Sequence, residues 1–338
     1  MRWLFKSLFW LALILALAAG AVAGYAWHWV NKPLDLPRPE VDIRVHGGSG
    51  PGVIADTMIR QGINIPRESF ILLARLTEKD RLIKAGGYQI RTGDSLWDVL
   101  DKMARGEITQ RQITLIEGWT IPQILQALAN HPDIEQTIEP VTLHDQKALA
   151  QRLGLSHDHV EGLIFPDTYV FPVGSTDEEI LRQALRAQEN LLRRAWENRA
   201  PDLPLNSPYE ALILASIVEK ETGHHPERAR IAGVFINRLK IGMPLQTDPT
   251  VIYGMGELYE GRIRRADLQR DTRWNTYTRG GLPPTPISAI SRASLEAVLN
   301  PEEHDYYYFV ARGDGTSEFA KNLTQHNRNV SKYILGRP

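Results

Sequence analysis

The sequence predicts an α+β protein in three parts: an N-terminal transmembrane helix, a small α+β domain, and a mixed, mainly helical domain. Three observations predict it. Ser7 to Trp27 is uncharged and rich in Leu and Ala, about the twenty residues a helix needs to cross a bilayer. Between residues 41 and 116, short runs of strand character interleave with helical ones. Beyond residue 116, helical runs dominate, with apolar residues recurring at spacings of three and four.

Arg2 and Lys6 precede the apolar run, and Trp27 and Trp29 mark an interfacial belt at its end. The positive flank predicts an N-terminus inside and the rest of the chain outside. The rival is a cleaved signal peptide, for which Ala19-Gly20-Ala21 and Ala21-Val22-Ala23 supply small-x-small sites. The run is longer than a usual signal core, so an anchor over residues 1–30 is expected. Pro33, Pro37 and Pro39 stiffen a linker over 31–40.

The domain expected over 41–115 begins with the alternating strand Val41 to Val45. Gly47 to Gly52 lacks the Lys-Ser/Thr ending of a phosphate loop and reads as a turn. Helices follow over Val53 to Gln61 and Arg67 to Glu78, then a strand over Gly87 to Arg91. Asp94 is placed to cap a helix from Ser95 to Arg105, and a strand spans Arg111 to Ile116.

In the region 116–338, helices are expected over Ile121 to Ala129, Gln146 to Leu153 and Thr176 to Ala200, with a loop from His131 to Thr142. Asp177, Glu178 and Glu179 suit the free N–H groups of a helix start. Ser207 and Pro208 open a helix ending near Thr222, and a second runs from Glu227 to Ile241. Gln246 to Pro249 is read as a polar loop. The chain then closes with a helix over Ser291 to Leu299, a strand over Tyr306 to Ala311 and a helix over Leu323 to Leu335.

The composition excludes some chemistry. The 338 residues carry a net charge of −1, so no basic excess points to nucleic acid. No cysteine is present, which removes thiol nucleophiles, disulfides and cysteine-bound zinc. Glu221, His224 and His225 do not have His-Glu-x-x-His spacing, and Gly223 breaks the helix that would align them. No metal and no cofactor is expected.

Glu219 and Glu221 end the helix beginning at Ser207. Two apart, they do not share a face. Glu221 continues the stripe Leu214, Ile217, Val218, whereas Glu219 lies with Leu212, Ala215 and Ser216. A carboxyl drawn against apolar side chains has its pKa raised and can donate a proton near neutral pH. Composition alone favours the plainer alternative, two solvated carboxylates.

The segments ASIVEKET and VFINRLKIGMPLQTDPTVIYGMG, the triplet Asn275-Thr276-Tyr277, and Gly281-Leu282-Pro283-Pro284 occur in that order. Together they resemble the membrane-anchored endolytic murein transglycosylases of the YceG-like family, over almost the whole chain. The resemblance implies that Glu221 is the catalytic acid/base. It implies peptidoglycan glycan strands as substrate, the bacterial inner membrane with a periplasmic catalytic domain as location, and peptidoglycan synthases (penicillin-binding proteins) as neighbours. Gln246, Thr247 and Asp248 become candidates to hydrogen-bond sugar hydroxyls and acetamido groups. Asn275 and Tyr277 share one face of an extended segment, with Tyr277 a candidate to stack a pyranose ring or orient Glu221. Glu117, in Glu117-Gly118-Trp119, is a groove or capping candidate. Tyr169 is one of three aromatic residues, with Phe165 and Phe171, for a sugar wall or the core. Asn237 and Arg238 sit mid-helix, Asn237 reading as structural. Gly86 to Glu107 resembles a LysM-like glycan-binding module.

A lytic transglycosylase uses one carboxyl twice and consumes no water. Asp248 as a second carboxylate would instead suit a muramidase-type hydrolase, and a non-catalytic glycan-binding scaffold is the third reading. The sequence departs from the family pattern at Thr285, at Ala289-Ile290-Ser291, and at Ser317, where a His commonly stands two before the strand phenylalanine.

Overall fold

The computed structural model describes residues 2–139, 145–223 and 225–336. The chain divides into two units. One is Met1–Gln112 with Asp133–Glu135 and Val170–Ser175; the other is Ile113–Pro132, Gln136–Tyr169 and Thr176–Pro338.

The first unit begins with α1 (Arg2–Val30). Its Lys6–Val30 stretch is long and apolar enough to cross a membrane, and none of its most apolar window is buried. At its end the Trp27 ring meets Trp97, with centroids 6.2 Å apart. Strand β1 (Glu40–Val45), helices α2 (Pro51–Arg60) and α3 (Arg67–Leu76), strand β2 (Gly86–Arg91) and helix α4 (Leu96–Arg105) follow. β1 and β2 pair antiparallel, Val41 opposite Ile90 and Ile43 opposite Tyr88. The period-two alternation of β1 puts Val41, Ile43 and Val45 inside. There they join Ile54 and Met58 of α2, Phe70 of α3 and Leu100 and Met103 of α4 in one core.

Two helix starts differ from the sequence reading. α2 starts at Pro51, whose fixed φ suits a first helical position. α4 is capped by Ser95, not Asp94. The Asp98 N–H donates to Ser95 Oγ at 3.2 Å, and the Ser95 N–H donates to the Asp98 carboxylate at 2.9 Å. Asp94 instead accepts the Arg91 N–H and pairs with Lys102.

β3 (Gln110–Thr114) leads out of this unit. Segments 133–135 and 170–175 belong to the unit through specific bonds. Val173 donates to Thr109 O at 3.1 Å, Arg44 donates to Ser175 Oγ at 2.7 Å, and Arg111 pairs with Asp133 at 3.2 Å. A Cβ on Gly87 would lie 2.4 Å from the Val173 carbonyl oxygen. Glycine is what lets these backbones approach.

The second unit holds α5 (Ile121–Ala129), α6 (Gln146–Leu153), α7 (Asp177–Glu197), α8 (Pro208–Glu221), α9 (Arg228–Lys240), α10 (Asp248–Met255), α11 (Arg265–Gln269) and α12 (Arg292–Leu299). An antiparallel pair, Tyr308–Ala311 with Ser317–Ala320, and α13 (Leu323–Tyr333) complete it. Ser207 caps α8 by accepting the Glu210 N–H at 3.2 Å, with Pro208 at the first position. Every residue from Ala211 to Val218 is buried. α8 is therefore the central rod of this core, packed by α7, α9 and α12.

Three further features differ from the sequence reading. The loop expected from His131 contains the short strand Ile134–Glu135, paired with Ser175–Thr176; residues 140–142 of that loop lie outside the described residues. The polar loop ends early, since Asp248 begins α10 with Pro249 in its first turn. The strand expected over Tyr306 to Ala311 starts at Tyr308, and its partner Ser317–Ala320 had no counterpart among the expected elements.

Candidate active site

The site grows from the C-terminal end of α8. Both glutamates are withdrawn from solvent, which corrects the solvated reading. Their partners differ. Glu219, with 5% of its side chain exposed, pairs with Arg228 at 3.2 Å. It also accepts the Ser291 N–H at 2.8 Å and hydroxyl at 2.5 Å. Its oxygens are taken up by partners inside the fold. Glu221, the last residue of α8, has no ion-pair partner among the described residues. The Thr247 hydroxyl donates to its Oε1. Burial pushes its pKa up, Thr247 draws it down, and the Asp248 charge adds to the rise. One helix end thus carries a carboxyl engaged by structural partners and a second whose pKa burial raises.

Glu221 lines a cavity of about 430 Å³. Its polar rim is Gln246, Asp248 and Tyr277; Phe235, Tyr308 and Phe309 supply aromatic walls, and Arg238, Ser317 and His326 complete its polar lining. The Tyr277 hydroxyl donates to Asp248 at 2.6 Å. Gln246 takes a left-handed φ of 48°, and its N–H donates to Thr276 O at 3.2 Å. Thr247 is 2% exposed and is held by its own N–H on Thr276 Oγ1 at 3.1 Å. A larger cavity of about 670 Å³, with Arg194, Arg228, Arg292 and Glu296 in its lining, does not contain Glu221. Volume alone would favour it; a carboxyl with a raised pKa makes the smaller one the candidate.

The structure brings Glu221, Gln246, Thr247, Asp248 and Tyr277 together. Asn275 is close by but fully buried. Its amide donates to Leu268 O at 3.1 Å and Arg270 O at 2.7 Å, and its carbonyl accepts the Tyr277 N–H at 2.8 Å. It holds Tyr277 in place and does not line the Glu221 cavity. Tyr169 is 4% exposed, donates to Phe165 O at 2.6 Å, and lies in the core. Glu117 is exposed and does not line the cavity; the next residue, Gly118, accepts Lys220 Nζ from α8 at 3.2 Å. Asn237 is structural, donating to His304 O at 2.8 Å and Tyr306 O at 3.1 Å. His224 lies outside the described residues. Of the three departures, Thr285 and Ile290 are buried, while Ser317 lines the cavity.

Sequence reasoning missed the far wall. Arg238 is buried, donates to Tyr307 O at 2.7 Å and Leu245 O at 2.6 Å, and ties the wall to the loop before Gln246. An arginine among apolar residues of a helix was the available signal. Nothing local marked Tyr308 or His326, which arrive through tertiary packing.

A cleft built on one buried, protonatable carboxyl, rimmed by hydroxyls and aromatic rings, has the makings of a carbohydrate-cleaving site. The chain belongs to the YceG-like family, whose model matches residues 43–332. It is 32% identical over 311 residues to the endolytic murein transglycosylase of Bacillus subtilis, covering 88% of this chain and 86% of that one. It is 27% identical to the endolytic murein transglycosylase of Streptococcus pneumoniae, over 96% of this chain but 64% of the relative's length. A 2.6 Å crystal structure of a YceG-like protein from Listeria monocytogenes superposes with a TM-score of 0.54 at 28% identity. That match covers 86% of this chain and 99% of the other.

Proposed function

We propose that this chain is a lytic transglycosylase of peptidoglycan, cutting within glycan strands with Glu221 as its single acid/base. The observation that carries the reading is a carboxyl at the wall of an open cleft whose pKa burial raises. The names of the relatives from Bacillus subtilis and Streptococcus pneumoniae support the substrate class.

In the proposed reaction, neutral Glu221 protonates the glycosidic oxygen between N-acetylmuramoyl and N-acetylglucosaminyl residues. The C1–O bond breaks, and the Thr247 hydroxyl steadies the carboxylate left behind. That carboxylate takes the proton of the muramoyl C6 hydroxyl, whose oxygen bonds to C1. The acid is restored, no water enters, and the product ends in a 1,6-anhydro sugar. Gln246, Asp248 and Tyr277 bind the strand. Such cuts within nascent strands would end their elongation. The N-terminal helix would anchor the chain in the bacterial inner membrane, with the catalytic part in the periplasm beside peptidoglycan synthases. The LysM-like part would add a second glycan contact.

Asp248 lines the same cavity, which gives hydrolysis a specific footing. Mass analysis of products from purified peptidoglycan separates the readings. The native protein is expected to yield anhydro ends, one water lighter than reducing ends. Glu221→Gln is expected to lower cleavage at least about 100-fold. Reducing ends would make the enzyme a hydrolase using Asp248. Near-native cleavage by Glu221→Gln would sink the assignment of the acid. Glycan binding without cleavage by the native protein would make it a scaffold.

A further inference from the structure

We infer that His326 is a strand-binding residue of the Glu221 cleft, donating a hydrogen bond from its imidazole to a sugar oxygen. This rests on the glycan-cleaving function proposed for the cleft.

His326 lies on α13 and lines the same cavity as Glu221. Its ring stacks on Tyr308, with centroids 5.1 Å apart and planes at 26°, and the Arg238 guanidinium sits 5.2 Å from that Tyr308 ring centre. The imidazole plane is therefore fixed from within the fold. Its polar atoms are not provided for. Nδ1 is shielded from solvent and has no partner. Neither ring nitrogen makes a hydrogen bond among the described residues. His304 shows what a structural histidine looks like in this chain. Its Nε2 is 2.8 Å from Arg230 O, and its Nδ1 accepts the Tyr306 N–H at 3.1 Å. Unlike His304, His326 is given no partner by the described residues at either nitrogen, and the one left open to the cavity is Nε2.

The chemistry follows from the surroundings. Burial and the Arg238 charge both push the His326 pKa down, so the ring is neutral at neutral pH. A neutral imidazole carries one proton. Nδ1 has no acceptor for it, which leaves the proton on Nε2. That nitrogen is not shielded in the same way, and it is the donor the cleft offers. Sugar hydroxyls and acetamido carbonyls accept such a bond. The bond is present before and after the glycosidic linkage breaks, so it serves binding more than the chemical step.

The test uses the full chain in detergent and a stem-free tetrasaccharide of alternating N-acetylglucosamine and N-acetylmuramic acid. In the Glu221→Gln background, His326→Ala is expected to weaken calorimetric binding about 10-fold, the worth of one hydrogen bond. His326→Gln, which keeps a donor, is expected to recover part of it. With Glu221 intact, His326→Ala is expected to raise KM while kcat stays within about threefold, the mark of a hydrogen bond made equally in ground and transition states. In the Glu221→Gln protein, the His326 Nε2 resonance is expected to shift on glycan addition. Unchanged affinity with an unmoved resonance overturns the inference, and so does a fall in kcat at constant KM. If the Glu221→Gln protein binds no glycan at all, the functional reading fails and this inference falls with it.

Discussion

Thr247 decides how far Glu221 departs from an ordinary carboxyl. Its hydroxyl favours the charged form against the burial that opposes it. In the proposed reaction catalysis begins from protonated Glu221, so activity is expected to fall as pH rises through its raised pKa. Thr247→Val removes the favouring bond and raises that pKa further. The descending limb of the kcat/KM profile should then move to higher pH, while turnover drops about 10- to 100-fold because the carboxylate loses its donor. A limb that stays in place would show that Thr247 does not act through the acid. At this scale the sequence was partly readable. Helical phase picked Glu221 over Glu219, but α8 is buried on all sides, so phase is not what separates them. Arg228 and Ser291 do, and both arrive from elsewhere in the chain.

Among elements, α9 is seated tightly against the segment that follows α12. A Cβ on Gly233 would lie 2.6 Å from Glu302 O and 2.6 Å from His304 Nε2. The segment there is pinned, with Glu302 donating to Ala229 O at 3.0 Å, so it cannot yield cheaply. Gly233→Ala should lower stability by about 1–3 kcal/mol, despite the better helix propensity of alanine. Denaturant titration of the two proteins decides it, and equal midpoints would mean that the segment moves freely. Caps and periodicity made α8, α9 and α12 legible, since Ser207-Pro208 and the apolar spacing are local signals. α10 was hidden because Asp248-Pro249 reads equally as a turn or as a first helical turn. The wall of Tyr308, Ser317 and His326 was hidden because its place opposite Glu221 depends on how the last two strands and α13 pack.

For the second unit as a whole, Glu161 couples stability to pH. It is fully buried. It accepts the Ile121 N–H of α5 at 3.1 Å and the Tyr253 hydroxyl of α10 at 3.0 Å. Burial nonetheless raises its pKa to about 7. Because the folded value lies above the unfolded one, its contribution is fully present below about 4.5 and is lost as pH rises towards 7. The shift corresponds to about 3 kcal/mol. Glu161→Gln carries no such charge, so the native protein should lose stability relative to this variant as pH rises from about 4.5 to just above 7. Melting curves of both at each end of that range test it; a constant gap would remove Glu161 as the cause. The N-terminal apolar helix and the mixed α+β character followed from composition and period. The return of 133–135 and 170–175 to the first unit did not, because only long-range pairing reveals it.

Glu221 is the final residue of α8, and Thr247 is the residue from which α10 starts. A helix is faintly negative at its end and faintly positive at its start. The acid therefore lies where opposite poles of two helices meet. The pole to which it belongs helps it keep its proton; the pole that faces it, through the Thr247 hydroxyl, receives the charge once the proton has gone. If Glu221 acts as proposed, first as an acid and then as a base within one turnover, it sits between two fixed fields that favour its two states in turn.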